Sequence, residues 1–411
     1  MRYGQGDAEL QDFQVNKEEI LIARPQMYDV EALRRAEFPH VLDWVSLDNA
    51  AGAPTPLRTI NKMKQVLEEK VATSRWHIGR YPLDLLGGFT ASAVALVNAE
   101  SPGEVVHVEG CSVGLNLIAQ SLELTEGDNI VFCDVEYPAN VYPWMSLQRD
   151  GVTIKQIPAV NGGLTLPALE AQVDQRTRVV AASAVQFFTG HRTDLTAIGK
   201  FCREQGILFV VDAIQAVGHM PINVREMNID VLVTGAHKSL MAAPGNGFMY
   251  VREAVCAGLK PRVVGAVSTT SWVNYLNYDM TPQPGAGRFL IGTLSVEGMA
   301  GVVESIGLLN ELTRAAIERH TTHLAALALE MAQERGYELT TPVGEHGPIA
   351  TFRSKLGKDE TSALVQKLED QGITLARRVD RLGAAHLRLS FHCYNTEQEL
   401  VRAFDALDNA N

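Results

Sequence analysis

The chain reads as an α/β protein: a mostly parallel sheet sandwiched by helices, followed by a smaller α+β C-terminal domain. Three observations carry this reading. The 411 residues are 46% hydrophobic and 20% charged, enough to bury one large core or two ordinary ones. Between about residues 103 and 251, short β-branched runs alternate with amphipathic helical stretches, which implies βαβ units and a sheet covered on both faces. After Gly292 the texture changes to a long helical segment, two strand-like runs and a closing helix.

The strand-like runs, in order, are EVVHVEG, DNIVFCD, VTIKQIPA, RVVAASAV, GILFVVDA, IDVLVTG and GFMYV. TDLTAIGKFCREQG (193–206) is a helix between two of them, with Thr193 as expected N-cap, Leu195, Ile198, Phe201 and Cys202 on one face, and Gly206 as its stop. In the second half, LTRAAIERHTTHLAALALEMAQERG reads as a long helix and IATF and LRLSFHC as strands. Thr396 and Glu399 have the spacing of a capping box for the last helix. The expected division is an N-terminal extension over 1–45 that packs on the core, a large domain over 46–295 and a small domain over 296–411.

Composition excludes several classes of function. A formal charge of −12 without clustered Lys and Arg argues against a nucleic-acid partner. No window approaches the apolar length of a membrane span, and MRYGQGDAELQDFQ lacks the pattern of a secretory signal, so the expectation is a cytoplasmic protein. The five cysteines are odd in number and never spaced CxxC, which indicates neither a disulfide framework nor a zinc site. His320 and His323 lie one helical turn apart with no third ligand in view, and a solvated helix face is the expected reading. No GxGxxG follows an early strand, which counts against a nicotinamide dehydrogenase.

Chemistry concentrates where strands end. VTGAHKSL closes a buried strand and then offers Lys238, and ligands in such sheets bind beyond the carboxyl ends of the strands. GILFVVDA ends in Asp212, with Gln215 three residues on; a buried carboxylate there needs a cationic or hydrogen-bonding partner. EVVHVEGCSVGLNLIAQSL reads as strand, Gly110, small polar residues and helix, leaving free N–H groups and hydroxyls that suit a phosphate. A phosphate cup, a carboxylate for a ring nitrogen and an amine for an aldehyde together meet the needs of pyridoxal 5′-phosphate.

In this order SLDNAAGAPTP (46–56), VVDAIQAVGH (210–219), AHKSLMAAPGNGFMYV (236–251), RFLIGT (288–293) and LRLSFHCYNTEQEL (387–400) are specific. The chain resembles the class V aminotransferase superfamily of fold-type I pyridoxal-phosphate enzymes, which contains cysteine desulfurases, kynureninase and isopenicillin N epimerase. The resemblance implies a seven-stranded-type sheet and a homodimer with shared active sites acting on an amino acid. It implies that Lys238 is the Schiff-base lysine and that His237 helps hold the phosphate. Asp212 would be the partner of the ring nitrogen, Gln215 a contact to the ring hydroxyl, and Cys111 and Ser112 the phosphate-binding pair. Thr293 would reach the neighbouring subunit's cofactor phosphate. Arg388 would bind the substrate α-carboxylate with its bidentate fork, and Asn49 and Ala51 would flank the substrate.

Departures from the pattern bear on the reaction. The histidine that stacks on the cofactor in cysteine desulfurases falls on Tyr137 in EYPANVYPW, and a phenol with a pKa near ~10 is a poor proton shuttle at neutral pH. The loop before Arg388, ARRVDRLGAAH, contains no cysteine to carry a persulfide, and Cys393 lies beyond it. An asparagine of the relatives falls on Phe187, leaving Gln186 or Gln215 for the ring hydroxyl. The EYPANVYPW and SFHCYNT wording is closer to the isopenicillin N epimerase-like branch. The expectation is a transaminase, with a C–S lyase or an epimerase as alternatives, a desulfurase disfavoured, and a non-enzymatic binding module disfavoured by the complete cofactor set. Arg377, Arg378 and Arg381 crowd the expected pocket as either contacts or solvated charges, and SRWHIGRYPLD (74–84) is expected to line the entrance.

Overall fold

The computed structural model describes residues 28–72, 80–271, 274 and 276–410. The first 27 residues of the N-terminal extension and most of the expected entrance segment, 74–79, lie outside the described residues.

Twelve strands are described: β1 (Val45–Ser46), β2 (Val105–His107), β3 (Asn129–Cys133), β4 (Thr153–Ile157), β5 (Thr177–Ser183), β6 (Leu208–Asp212), β7 (Val231–Gly235), β8 (Gly247–Val251), β9 (Ile349–Arg353), β10 (Ile373–Thr374), β11 (Ala376–Val379) and β12 (Ala385–Ser390). The central sheet has seven strands in the order β2-β8-β7-β6-β5-β3-β4. Its ladders are parallel except those of β8, which runs antiparallel to both β2 and β7. Strands β3 and β7 are buried from end to end, which is why such strands read as unbroken apolar runs. Apolar clusters fill both faces, one around Phe89, Phe209 and Met299 and the other around Phe132, Trp144 and Phe289.

Gly206 ends the helix Leu195–Gln205 in the left-handed conformation, as the sequence predicts, but the N-cap is Asp194 rather than Thr193. Asp194 accepts from the Ala197 amide at 3.0 Å. Thr193 is buried and spends its hydroxyl on the Ser183 carbonyl of β5 at 2.7 Å. Tertiary bonding has taken the residue that local capping chemistry would choose.

The small lobe joins an antiparallel sheet, β11-β12-β9, to the two-stranded parallel pair β1-β10. Its core holds Leu324, Leu329, Phe352, Leu389 and Phe404, together with Val45 and Leu47 from the early chain. The helix Val296–Leu312 packs instead on the helices Leu57–Ala72 and Arg80–Val97 of the large lobe. We therefore propose that the lobes divide within the next helix, Arg314–Glu334, whose Ile317 belongs to the large core and Leu324 to the small one. The capping box of the last helix forms in both directions, Thr396 N–H to Glu399 at 2.9 Å and Glu399 N–H to Thr396 at 3.2 Å.

His320 departs from the expected solvated face. It is buried, with Nε2 at 2.9 Å from the Asn395 carbonyl, while His323 is exposed beside Glu397 at 2.7 Å. The chain end that starts the last helix supplies those partners, which the helix sequence alone does not reveal. Among the described residues no three metal-binding side chains cluster, and no helix is long and apolar enough to cross a membrane.

Candidate active site

The carboxyl ends of β2, β3, β5, β6 and β7 converge, and the side chains that follow them form one site. The helix Cys111–Ala119 begins at Gly110 with no side-chain cap, so its first N–H groups are open to an anion. A Cβ at Gly114 would stand 2.5 Å from Val233, so the helix lies close on β7 and its N-terminus sits beside the segment that carries Lys238. Cys111 is buried and Ser112 exposed at that N-terminus.

Asp212 ends β6 and is 3% exposed. Its Oδ1 accepts from the Ile214 amide at 3.0 Å and from the Cys111 thiol at 3.2 Å. Burial raises its pKa, opposed by those two bonds and by Lys238. Lys238 is itself only 9% exposed. Desolvation lowers its pKa, Asp212 and Cys111 push it back up, and Arg388 and Arg378 lower it further. Its Nζ stands 5.2 Å from the centroid of the Tyr137 ring. Tyr137 meets Phe187 edge-on at 5.0 Å, and 44% of it is exposed, leaving ring surface for a stacking partner. His237 is partly buried, its pKa lowered first by desolvation and then by Lys238.

The two glutamines divide their work. Gln215 donates to the Ala50 carbonyl at 2.9 Å, whereas Gln186 donates to Glu136 at 2.6 Å and keeps its Oε1 buried without a partner. Gln186 is thus the residue with an acceptor to offer a ring hydroxyl. The Asn49 side chain is engaged within the protein. Its amide nitrogen bonds the Ser390 carbonyl at 2.7 Å and its oxygen accepts from Tyr394 at 2.5 Å, tying the early chain to the small lobe. Ala51 is exposed beside the Gln215 anchor. Thr293 is exposed in the segment before Val296.

Arg388 is 1% exposed and held from two sides, by Asp48 at 2.6 Å and by the Phe187 carbonyl at 2.8 Å. Its Nε is buried with no partner, and burial lowers its pKa to about 10. Asp48 and Glu136 are the residues sequence reasoning missed. Glu136 is buried and takes bonds from Ser183, Asn140 and Gln186. The signal available for it was a carboxylate four residues before an asparagine at a strand end, one turn apart in EYPAN.

Lys238 is braced by close packing behind it. A Cβ on Gly218 would stand 1.7 Å from the Ser239 carbonyl oxygen. Gly218→Ala is expected to cost roughly 1–3 kcal/mol through overpacking and to weaken cofactor retention, read by thermal unfolding and by pyridoxal-phosphate content.

The geometry defines a class: an α/β enzyme that holds a phosphorylated pyridine aldehyde against a desolvated lysine. Residues 45–403 match the family model "Aminotransferase class-V", and the chain belongs to that family. It is 30% identical over 405 residues to a cysteine desulfurase of Enterobacter sp., covering 91% of this chain and 96% of that one. It is 31% identical over 293 residues to a probable cysteine desulfurase of Methanothermobacter thermautotrophicus, covering 70% and 72%. The apo cysteine desulfurase of Thermococcus onnurineus superposes with a TM-score of 0.83 at 23% identity, over 94% of this chain and 99% of that one, which shows the shared fold. The cofactor is pyridoxal 5′-phosphate, and the uncapped helix, the buried Asp212 and the unpartnered Gln186 oxygen fit it.

Proposed function

We propose that this enzyme is an aminotransferase working at the α-carbon of an amino acid. The observation that carries the reading is the buried Lys238 with its amine over the Tyr137 ring, in a site that also holds the buried Asp212 carboxylate and Arg388 guanidinium. When bound, the cofactor supplies an aldehyde for the amino group and a cationic ring that takes up electrons from the α-carbon. Arg388 orients the α-carboxylate through its free Nε, with Asp48 and the Phe187 carbonyl fixing the guanidinium plane. Lys238, whose lowered pKa makes the neutral amine accessible, takes the α-proton and returns it on the cofactor side. Asp212 holds the proton at the ring nitrogen. The open helix N-terminus at Cys111 and Ser112, with His237, binds the phosphate.

The relatives' names favour a second reading, C–S bond cleavage on a sulfur amino acid. Transfer through an enzyme persulfide is disfavoured, because all five cysteines are buried and such transfer needs an accessible thiolate. Five free thiols suit a reducing, cytoplasmic compartment. Thr293 is exposed, which suits a homodimer in which it serves the partner's phosphate.

The test is the visible spectrum of the yellow protein during addition of amino acids. Bleaching by one amino acid and recovery with a keto acid is the expected result. Release of pyruvate and ammonia with the colour retained would replace transamination by elimination.

A further inference from the structure

β11 and β12 pair with Ala376 opposite Arg388 and Arg378 opposite His386. Strand alternation puts Arg378 and Arg388 on one face of the small sheet and Arg377 on the other. Arg378 is the diagonal neighbour of Arg388, at roughly 7–8 Å, within mutual reach of two long side chains. Two guanidinium groups so placed repel each other unless anions meet them.

Arg388 has its anion, Asp48 at 2.6 Å. Arg378 does not: it donates to the Arg377 carbonyl at 3.0 Å, and among the described residues no carboxylate pairs with it. The acids nearby are already engaged. Asp134 pairs with Arg381 at 2.6 Å, Asp380 with His386 at 3.1 Å, and Glu136 accepts from Ser183, Asn140 and Gln186. Lys238 registers the surplus, since both Arg388 and Arg378 disfavour its ammonium.

Arg378 also lines a cavity of about 420 Å³ with Phe187, Phe188 and the already engaged charges of Asp134, Glu136, Asp380 and Arg381. Tyr137, which faces Lys238, contacts Phe187, and Phe187 contacts Phe188, so aromatic walls run from the amine to this cavity. Apolar walls on one side of an ion pair lower the local dielectric and strengthen it.

We propose that this cavity receives the substrate side chain and that the substrate is a dicarboxylic amino acid, with Arg388 on its α-carboxylate and Arg378 on its side-chain carboxylate. The proposal rests on the reading that an amino acid reacts at Lys238. A second carboxylate supplies the anion that the Arg378 site lacks, in the bidentate geometry an arginine favours.

The experiment titrates the pyridoxal-phosphate-loaded enzyme with L-aspartate, L-glutamate, their amides and L-alanine, reading Kd from the visible absorbance. The acids are expected to bind roughly 10- to 100-fold more tightly than their amides, the worth of a charge-assisted bond. In Arg378→Met that preference should vanish, the acids losing far more affinity than L-alanine, whose Kd shifts only as far as the Lys238 amine feels the lost charge; Arg378→Lys should keep part of the preference. Arg378 is partly exposed on the edge strand β11, so either variant can be accommodated. Equal binding of acids and amides by the wild type, or a preference that survives Arg378→Met, would overturn the proposal. So would an equal loss of L-alanine binding, which would make Arg378 a second α-carboxylate ligand. Failure of the underlying reading looks different: no amino acid in the panel would change the spectrum, and borohydride would not fix pyridoxal 5′-phosphate to Lys238.

Discussion

Replacing Lys238 by alanine is expected to lower kcat by at least ~10²–10⁴-fold, the usual share of a positioned proton-transfer group, and to abolish borohydride trapping of the cofactor. The magnitude follows from the site's design. Desolvation and two guanidinium groups push the Lys238 pKa down, and Asp212 and Cys111 oppose them without restoring it. The neutral amine is the form of Lys238 that would hold the cofactor through the aldehyde it supplies and would take up a proton from the substrate α-carbon. Lys238→Arg is the informative control, since it keeps bulk and charge but holds its proton at every working pH. It should be as inactive as the alanine variant. The apo-protein gives a second readout with a fixed sign. Uptake of pyridoxal 5′-phosphate should rise with pH, with a midpoint below the ordinary lysine value of 10.5, because the lowered pKa frees the amine earlier. Undiminished turnover by Lys238→Ala would remove the chemical basis for the function proposed.

The fold was legible because its evidence is periodic. Six of the seven sheet strands appear in the sequence as largely apolar runs and the edge strand β4 as an alternating one, and the Gly206 stop and the Thr396 to Glu399 capping box are local chemistry that tertiary structure left alone. Lys238 and Asp212 stand out in the sequence for a related reason, each being an ionisable residue at or shortly after the end of a strand apolar enough to be buried. What failed was partner choice over long range. Thr193 lost the cap to Asp194 because a strand ten residues earlier offered its hydroxyl a carbonyl. Asn49 matches a motif beside the substrate, yet its amide is consumed by Ser390 and Tyr394, more than 300 positions away. Asp48, the counter-ion of Arg388, comes from the other end of the chain, and no local pattern announces that pairing.

Asp212→Asn is expected to leave cofactor uptake largely intact and to reduce kcat by roughly 10²–10³-fold, the range lost when a preorganised electrostatic group is removed. Asp212 is buried and its bonds to Ile214 and Cys111 both fall on Oδ1, leaving Oδ2 to accept a proton-bearing ring nitrogen. Burial alone raises its pKa, so a carboxylate held here without a cation is unstable as an anion. A protonated ring nitrogen removes that penalty, and in exchange the ring stays cationic and able to accept electrons. An asparagine keeps the shape and can still bond Cys111 and Ile214, but it gives the ring no negative charge to hold its proton against. The same change predicts a shift in the apo-protein. Asp212 is the largest influence raising the Lys238 pKa, so its neutralisation should move the uptake midpoint to lower pH. An Asp212→Asn enzyme with wild-type kcat would show that the ring nitrogen does not lie at the end of β6. An unmoved midpoint, with activity lost, would show that the loss comes from the cofactor ring and that the charge of Asp212 is not felt at the lysine.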